Sequence, residues 1–280
     1  MNIFSSSIFI TVLLGTMLLG VSSAMVGTIS VIGKKSLLGD ALSHSSFPGV
    51  IIAFILFQSR NTYILLLGAA IFSLISYYVI NIIEKSEKVK SDSQLAIVLS
   101  GFFGLGMMLK SYIQGRYTGA SQAGISNYIF GQAAFMKRED VYIALAVSIL
   151  SLIIIILFYK EIKLYLFDRE FFILSGYSKN LINTLIILMT VLLLASGLKA
   201  VGSILISSML IAPAVAALEW SHDFKKVIIL SGVFGGVSAF LGTIFSTFYN
   251  VSTGPSIVIF MSIIVFVSIF KNILKRKKPC

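Results

Sequence analysis

The sequence is poor in the residues that most soluble enzymes rely on. Its one cysteine, Cys280, is the last residue, so no disulfide can close within the chain. Only two histidines occur, His44 and His222, and no H-E-x-x-H pattern is present, which removes the usual intramembrane or soluble zinc-protease arrangement. No G-x-x-x-x-G-K-[ST] run occurs either, so the chain has no phosphate cradle with which to hydrolyse ATP itself. Charged residues make up only 12% of the chain, about half the share of an ordinary soluble domain. Short alternating segments of the kind that build membrane barrels are absent. A basic region before the first apolar run is also missing, so that run reads as an uncleaved span rather than a secretory signal.

What remains is apolar. Of 280 residues, 57% are hydrophobic, mean hydropathy is +0.98, and several runs approach the ~20 residues needed to cross a hydrocarbon core. Lipid offers no partners for backbone N–H and C=O groups, so such runs must be helices. The expected fold is all-α, a polytopic transmembrane helical bundle. The expected spans are 8–32, a second ending near Gln58, 62–83, 94–108, 141–159, 181–198, 201–218, 227–248 and 256–270. That makes about nine, or eight if one of the short late segments is re-entrant. Gly101, Gly104, Gly106, Gly232 and Gly236 are expected to let helices approach closely. The segment 126–135 is too short to cross and reads as a surface or re-entrant helix. Residues 1–280 are expected to form a single transmembrane domain.

The net charge of +11 is distributed as membrane topology rather than as a nucleic-acid face. With the N-terminus outside and the C-terminus cytoplasmic, 16 of the 22 basic residues fall inside. The basic C-terminal tail then meets lipid headgroups.

One stretch breaks the apolar pattern: Leu37-Leu-Gly-Asp-Ala-Leu-Ser-His-Ser-Ser-Phe-Pro-Gly49. A charged aspartate at bilayer depth costs ~2.5–3.5 kcal/mol on insertion scales, so something must offset Asp40. Asp40 and His44 are four residues apart and share a helix face, with Cβ atoms roughly 5–6 Å apart. Pro48 follows one turn on, and its missing N–H frees the His44 carbonyl. An acid with an imidazole suits manganese, iron(II), zinc or cobalt, and the pair equally suits an interhelical hydrogen bond with no ion. Ser203, Ser207, Ser208 and Pro213 either line a path and its gate or provide a kink with backbone-satisfying hydroxyls. Glu219, His222 and Asp223 form a second acid–imidazole group, in a turn beside Lys225 and Lys226 where an ordinary solvated loop is the plainer reading.

Leu38-Gly-Asp-Ala-Leu-Ser-His-Ser-Ser-Phe-Pro-Gly-Val50 resembles the G-D-(A/T)-(I/L)-(S/A)-H-x-x-x-P-G segment of the permease subunits of manganese/zinc ABC importers, the metal-ion ABC permease family 3. Ile129-Phe-Gly131 with Arg138-Glu-Asp140, Asp168-Arg-Glu170 with Gly176, 200–214 and Ser252-Thr-Gly-Pro-Ser-Ile-Val258 resemble that family's later segments in order. Ser45-Ser46 departs from it, where relatives often carry small apolar residues.

The resemblance implies a permease in the cell membrane that passes divalent metal (manganese, zinc or iron) as cargo, with no permanently bound cofactor. It supports Asp40 and His44 as metal ligands; Ser45, Pro48, Ser207, Ser208 and Pro213 are the further candidates for the path or gate. It further implies a second permease copy, a separate ATP-binding-cassette ATPase and an extracellular metal-binding lipoprotein. The 160–180 loop, through Asp168, Arg169, Glu170 and Gly176, would seat on the ATPase. Without those partners, a stand-alone secondary transporter or channel that uses Asp40 and His44 as an ion or proton relay is the alternative.

Overall fold

The computed structural model describes residues 6–59, 61–85, 89–116, 131, 133 and 136–276. Among them the chain forms α1 (Ser7–Ile32), α2 (Leu37–Phe57), α3 (Thr62–Glu84), α4 (Ser91–Arg116), α5 (Arg138–Leu157), α6 (Tyr159–Phe167), α7 (Arg169–Leu174), α8 (Lys179–Leu218), α9 (Phe224–Tyr249) and α10 (Thr253–Arg276). The helix starts follow their capping residues. Ser6 accepts from the N–H of Phe9, Asn61 from Tyr63, Ser178 from Leu181 and Asp223 from Lys226. The α3 and α9 ends, and those of α1 and α2, agree with the sequence expectation to within a few residues. The fourth helix instead runs eight residues past its expected end at 108, to Arg116, because polar residues continue it beyond the apolar run. The short helix expected over 126–135 lies outside the described residues, apart from positions 131 and 133.

Contacts sort the helix ends into two groups. At one end Lys35 meets Glu84 at 3.5 Å, Asn183 bonds Tyr77, Tyr159 stacks on Phe224, and Trp220 donates to Ser268 at 2.8 Å. At the other, Arg138 reaches Ser7 at 3.2 Å, Lys199 reaches Thr62 at 3.2 Å, and Ser246 pairs with Thr253 at 3.0 Å.

Among the described residues, eight helices are long and apolar enough to cross a membrane, against the nine spans expected from sequence. The difference lies in α8. A straight helix of 40 residues would be ~60 Å long. Yet Ile182 and Ile186, near its start, share a core cluster with Phe224 and Ile228, just beyond its end. The chain therefore doubles back, and it does so at Gly202 (φ 82, ψ 163), a backbone region open essentially to glycine alone. The Ile206 side chain consequently packs where a Cβ on Gly197 would stand. The two expected spans 181–198 and 201–218 are thus two antiparallel legs of one helical element with no loop between them.

Small residues and hydroxyls hold the bundle together, as expected where apolar burial gives no net drive between helices in lipid. Gly20 of α1 lies against the backbone of Gly235 in α9, so closely that a Cβ would stand 2.8 Å from the Gly235 carbonyl oxygen. Gly232 and Gly236 flank that contact against Met25 and Val21, as their spacing predicted. Of the three α4 glycines expected to pack, Gly106 does so, against Phe47 and Pro48; Gly101 and Gly104 meet no described residue within 4 Å, contrary to expectation. Thr16–Thr243 (3.1 Å), Ser22–Ser148 (2.9 Å) and Thr28–Ser231 (2.8 Å) tie α1 to α9 and α5.

Candidate metal-ion site

Helix α2 begins after a tight turn in which Lys34 takes a left-handed backbone (φ 56). Asp40 falls in the first turn of α2, where the helix dipole favours a carboxylate. His44 follows one turn later, its Nε2 3.5 Å from Asp40 Oδ1, with the two side chains 14% (His44) and 30% (Asp40) exposed. That separation is beyond the usual 2.7–3.2 Å of an N–H···O bond, so the pair is juxtaposed rather than locked together. It is close to the ~3.4 Å that two donors adopt on one tetrahedral ion with metal bonds of ~2.1 Å. Phe103 of α4 fixes the imidazole edge-on, with ring centroids 5.0 Å apart. His44 Nδ1 is buried without a hydrogen-bond partner among the described residues. Leaving such a group unpaired costs about 1–3 kcal/mol, a cost that concentrates at functional sites.

Both side chains open onto a cavity of about 460 Å³. Its far walls are the second leg of α8, through Ile204, Ser207, Ser208 and Ile211, and α10, through Met261 and Ser262. The Ser207 and Ser208 hydroxyls donate back to the Ile204 carbonyl at 3.0 and 3.1 Å, which leaves their oxygens free to accept. Ile204 is half exposed, so the cavity borders the outer surface of a single chain.

The structure therefore brings Asp40, His44, Ser207 and Ser208 to one cavity. The other three residues expected on the path are placed elsewhere. Ser45 turns to α3, where it donates to Ser76 at 2.7 Å. Pro48 is buried against Gly106 of α4. Pro213 is buried in the second leg of α8 and does not line the cavity, which takes its neighbours Ile211 and Ala212. Sequence reasoning missed Met261 and Ser262, because neutral residues inside an apolar run carry no signal.

It also missed a second buried ion pair, at the end of the bundle where α5 begins. Lys199 meets Asp140 at 2.9 and 3.0 Å and also donates to Thr62. Asp140 is buried and closes the first turn of α5 by accepting from the N–H of Lys137 at 2.8 Å. This network ties α3, α5 and α8 together just before the Gly202 reversal. A lone lysine flanked by two apolar runs was its only signal in the sequence.

The expected coupling residues form a separate feature. Asp168 caps the six-residue α7 by accepting from Phe171 at 2.9 Å, and Phe172 anchors it in the core. Arg169 lies 5.5 Å over the Tyr165 ring. Gly176 has φ +78 and ends the segment. Asp168, Arg169 and Glu170 are exposed, together with Phe171, Ile173 and Leu174, an apolar set that water alone does not favour. The Glu219–His222–Asp223 group does not assemble: Glu219 accepts from Asn272 at 2.6 Å, and Asp223 caps α9. No cluster of three or more His, Cys, Asp or Glu residues exists among the described residues. One chain thus brings two potential donors, Asp40 and His44, to this cavity.

A multi-helical membrane protein with an acid–imidazole pair on a cavity at the edge of its helical bundle is the class these features define. The chain belongs to the ABC 3 transport family, whose model matches residues 5–272. It is a multi-pass protein of the cell membrane. It is 38% identical over 270 residues to the zinc transport system membrane protein TroC of Treponema pallidum, covering 96% of this chain and 90% of that one. To the manganese transport system membrane protein MntC of Bacillus subtilis it is 39% identical, over 89% of this chain and 57% of that one. Its fold matches PsaBC from Streptococcus pneumoniae, solved in complex with Fab, with a TM-score of 0.83 and 28% identity over 94% of this chain and 91% of that one.

Proposed function

We propose that this chain is the membrane-spanning permease of an ATP-driven importer for divalent transition-metal ions, manganese or zinc, with iron(II) the third candidate. The observation that carries the reading is the Asp40 Oδ1 to His44 Nε2 separation of 3.5 Å on the wall of a cavity at the edge of one chain. Two ligands hold a passing ion weakly, which suits a site the ion must leave. Two copies related by a two-fold axis would present the same patch to each other. Two Asp40 carboxylates and two His44 imidazoles then make a four-ligand site, while Ser207 and Ser208 line the approach.

The excess of basic residues supports a cytoplasmic side for the turns at Lys34, Lys85 and Lys225. The N-terminus is then outside and the C-terminus inside. The exposed apolar and charged face of α7 would seat on a separate ATPase subunit, which supplies the power stroke. An extracellular metal-binding lipoprotein would deliver the ion to the opposite face. The names of the relatives, a zinc system and a manganese system, support the cargo class without choosing between the metals.

The test is uptake of radioactive manganese and zinc into vesicles holding the permease with its ATPase and binding protein. Asp40→Ala and His44→Ala should each reduce ATP-dependent uptake at least tenfold. Near-normal uptake by both variants would end the proposed ligand role. Uptake by the isolated chain under a proton gradient would replace the ATP-driven reading with that of a secondary transporter.

A further inference from the structure

A second cavity, of about 200 Å³, lies where α1 passes into α2, closed on its other sides by α6, the start of α7 and the first leg of α8. Lys34, Lys35 and Arg169 line it together with Ser30, Tyr165 and Asn183, over a floor of isoleucine and leucine side chains. No carboxylate is among the lining residues. Lys35 is engaged, 3.5 Å from the exposed Glu84. Lys34 and Arg169 have no carboxylate within ion-pair distance among the described residues, and Arg169 has only the face of Tyr165. The left-handed backbone at Lys34 is uncommon for a non-glycine residue and is held by the turn, in which the Lys34 N–H donates to Val31 and the Lys35 N–H to Ser30. Like charges are thus gathered around a pocket with room for more than one water molecule, which needs ~10–15 Å³.

We propose that this cavity binds a phosphate group. A guanidinium offers a planar fork to tetrahedral oxyanions, a lysine ammonium adds a mobile point charge, and hydroxyl and amide groups complete the shell. The phosphate comes either from an anionic phospholipid headgroup, for which basic pockets between membrane helices are suited, or from a free anion in solution. Its position has a functional consequence. Lys35 stands two residues before α2, the helix that carries Asp40 and His44, while Arg169 is the first residue of α7. A bound phosphate would therefore clip the root of the cavity-lining helix to the exposed segment. The proposal is independent of the metal-ion reading.

The test uses the purified full-length chain in phosphatidylcholine nanodiscs, titrated with inorganic phosphate, and in parallel nanodiscs in which phosphatidylglycerol replaces part of the phosphatidylcholine. Native mass spectrometry after release from the disc reads retained ligand. One phosphate-bearing ligand per chain is expected, retained at least tenfold less by a Lys34→Gln/Arg169→Gln variant and equally by Lys163→Gln, on α6 but away from the cavity. Selective retention of phosphatidylglycerol supports the headgroup source; saturable phosphate uptake in phosphatidylcholine supports the free anion. Failure of the unmodified chain to retain either ligand, or equal retention by the double variant, overturns the site. If the double variant does not fold, the titration of the unmodified chain and the single Lys34→Gln variant decide.

Discussion

At the scale of single residues, Asp140 and Asp40 show how the partner changes the meaning of a carboxylate. Asp140 is fully paired: Lys199 holds both its oxygens, and the N–H of Lys137 closes the cap. Removing one partner of a buried ion pair leaves an uncompensated charge, so Asp140→Ala should lower stability by about 3–5 kcal/mol. Thermal or denaturant unfolding in detergent checks this, and a Lys199→Met/Asp140→Leu double variant should recover much of the loss. Asp40, by contrast, has only an imidazole at 3.5 Å and a cavity before it. Asp40→Asn should accordingly leave unfolding nearly unchanged while abolishing metal retention. Acidification should weaken that retention too, because a protonated imidazole cannot ligate. Outside the membrane, Asp223 behaves as an ordinary cap, its carboxyl held below the usual carboxylate range by the Lys226 backbone N–H. Its contribution to α9 is therefore present throughout the neutral range and is lost only as pH falls through that lowered pKa. Unfolding of Asp223→Ala should converge with that of the unmodified chain in strong acid.

At the scale of elements, α8 is the most constrained. Gly202 occupies a conformation that costs any other residue of order 1–3 kcal/mol, so Gly202→Ala should lose that much stability or misplace the second leg. Loss of cavity-dependent metal retention alongside a lowered unfolding temperature would show that the leg had moved. Much of this element was legible in the sequence as two apolar runs, 181–198 and 201–218, separated by Lys199 and Ala200. What the sequence could not show was that no loop intervenes, because the reversal is made by one backbone conformation rather than by polar turn residues. Glycines were a weaker guide: Gly106 packs while Gly101 and Gly104 do not, and only the neighbour across the helix decides which. Asp40 and His44 were legible because charge in lipid is costly and their spacing puts them on one face. Pro48 shares that face in an ideal helix, yet α4 covers it, and no local pattern reports which neighbour covers which turn. Met261 and Ser262 reach the cavity from a span some 220 residues away in sequence, a relation that only the fold supplies.

At the scale of the whole molecule, the bundle is organised so that α1 is central, tied by glycine contacts and hydroxyl pairs to α9 and by hydroxyls to α5, while α2 and the second leg of α8 carry the cavity to one flank. Ile204 and Leu37 are exposed on α8 and α2, two of the three helices that line it. A cysteine placed at Ile204, with Cys280 changed to serine, should crosslink to its counterpart in membranes if two copies meet over this cavity. Absence of any crosslinked dimer would place the pairing face elsewhere.

The position of Asp40 and His44 at the rim of one chain, with only two donors between them, also fixes an arithmetic of loading. If the ion is shared across a two-fold axis, saturation arrives at half an equivalent per polypeptide. Mixing unmodified and Asp40→Ala chains would then deplete capacity as the square of the intact fraction rather than in proportion to it.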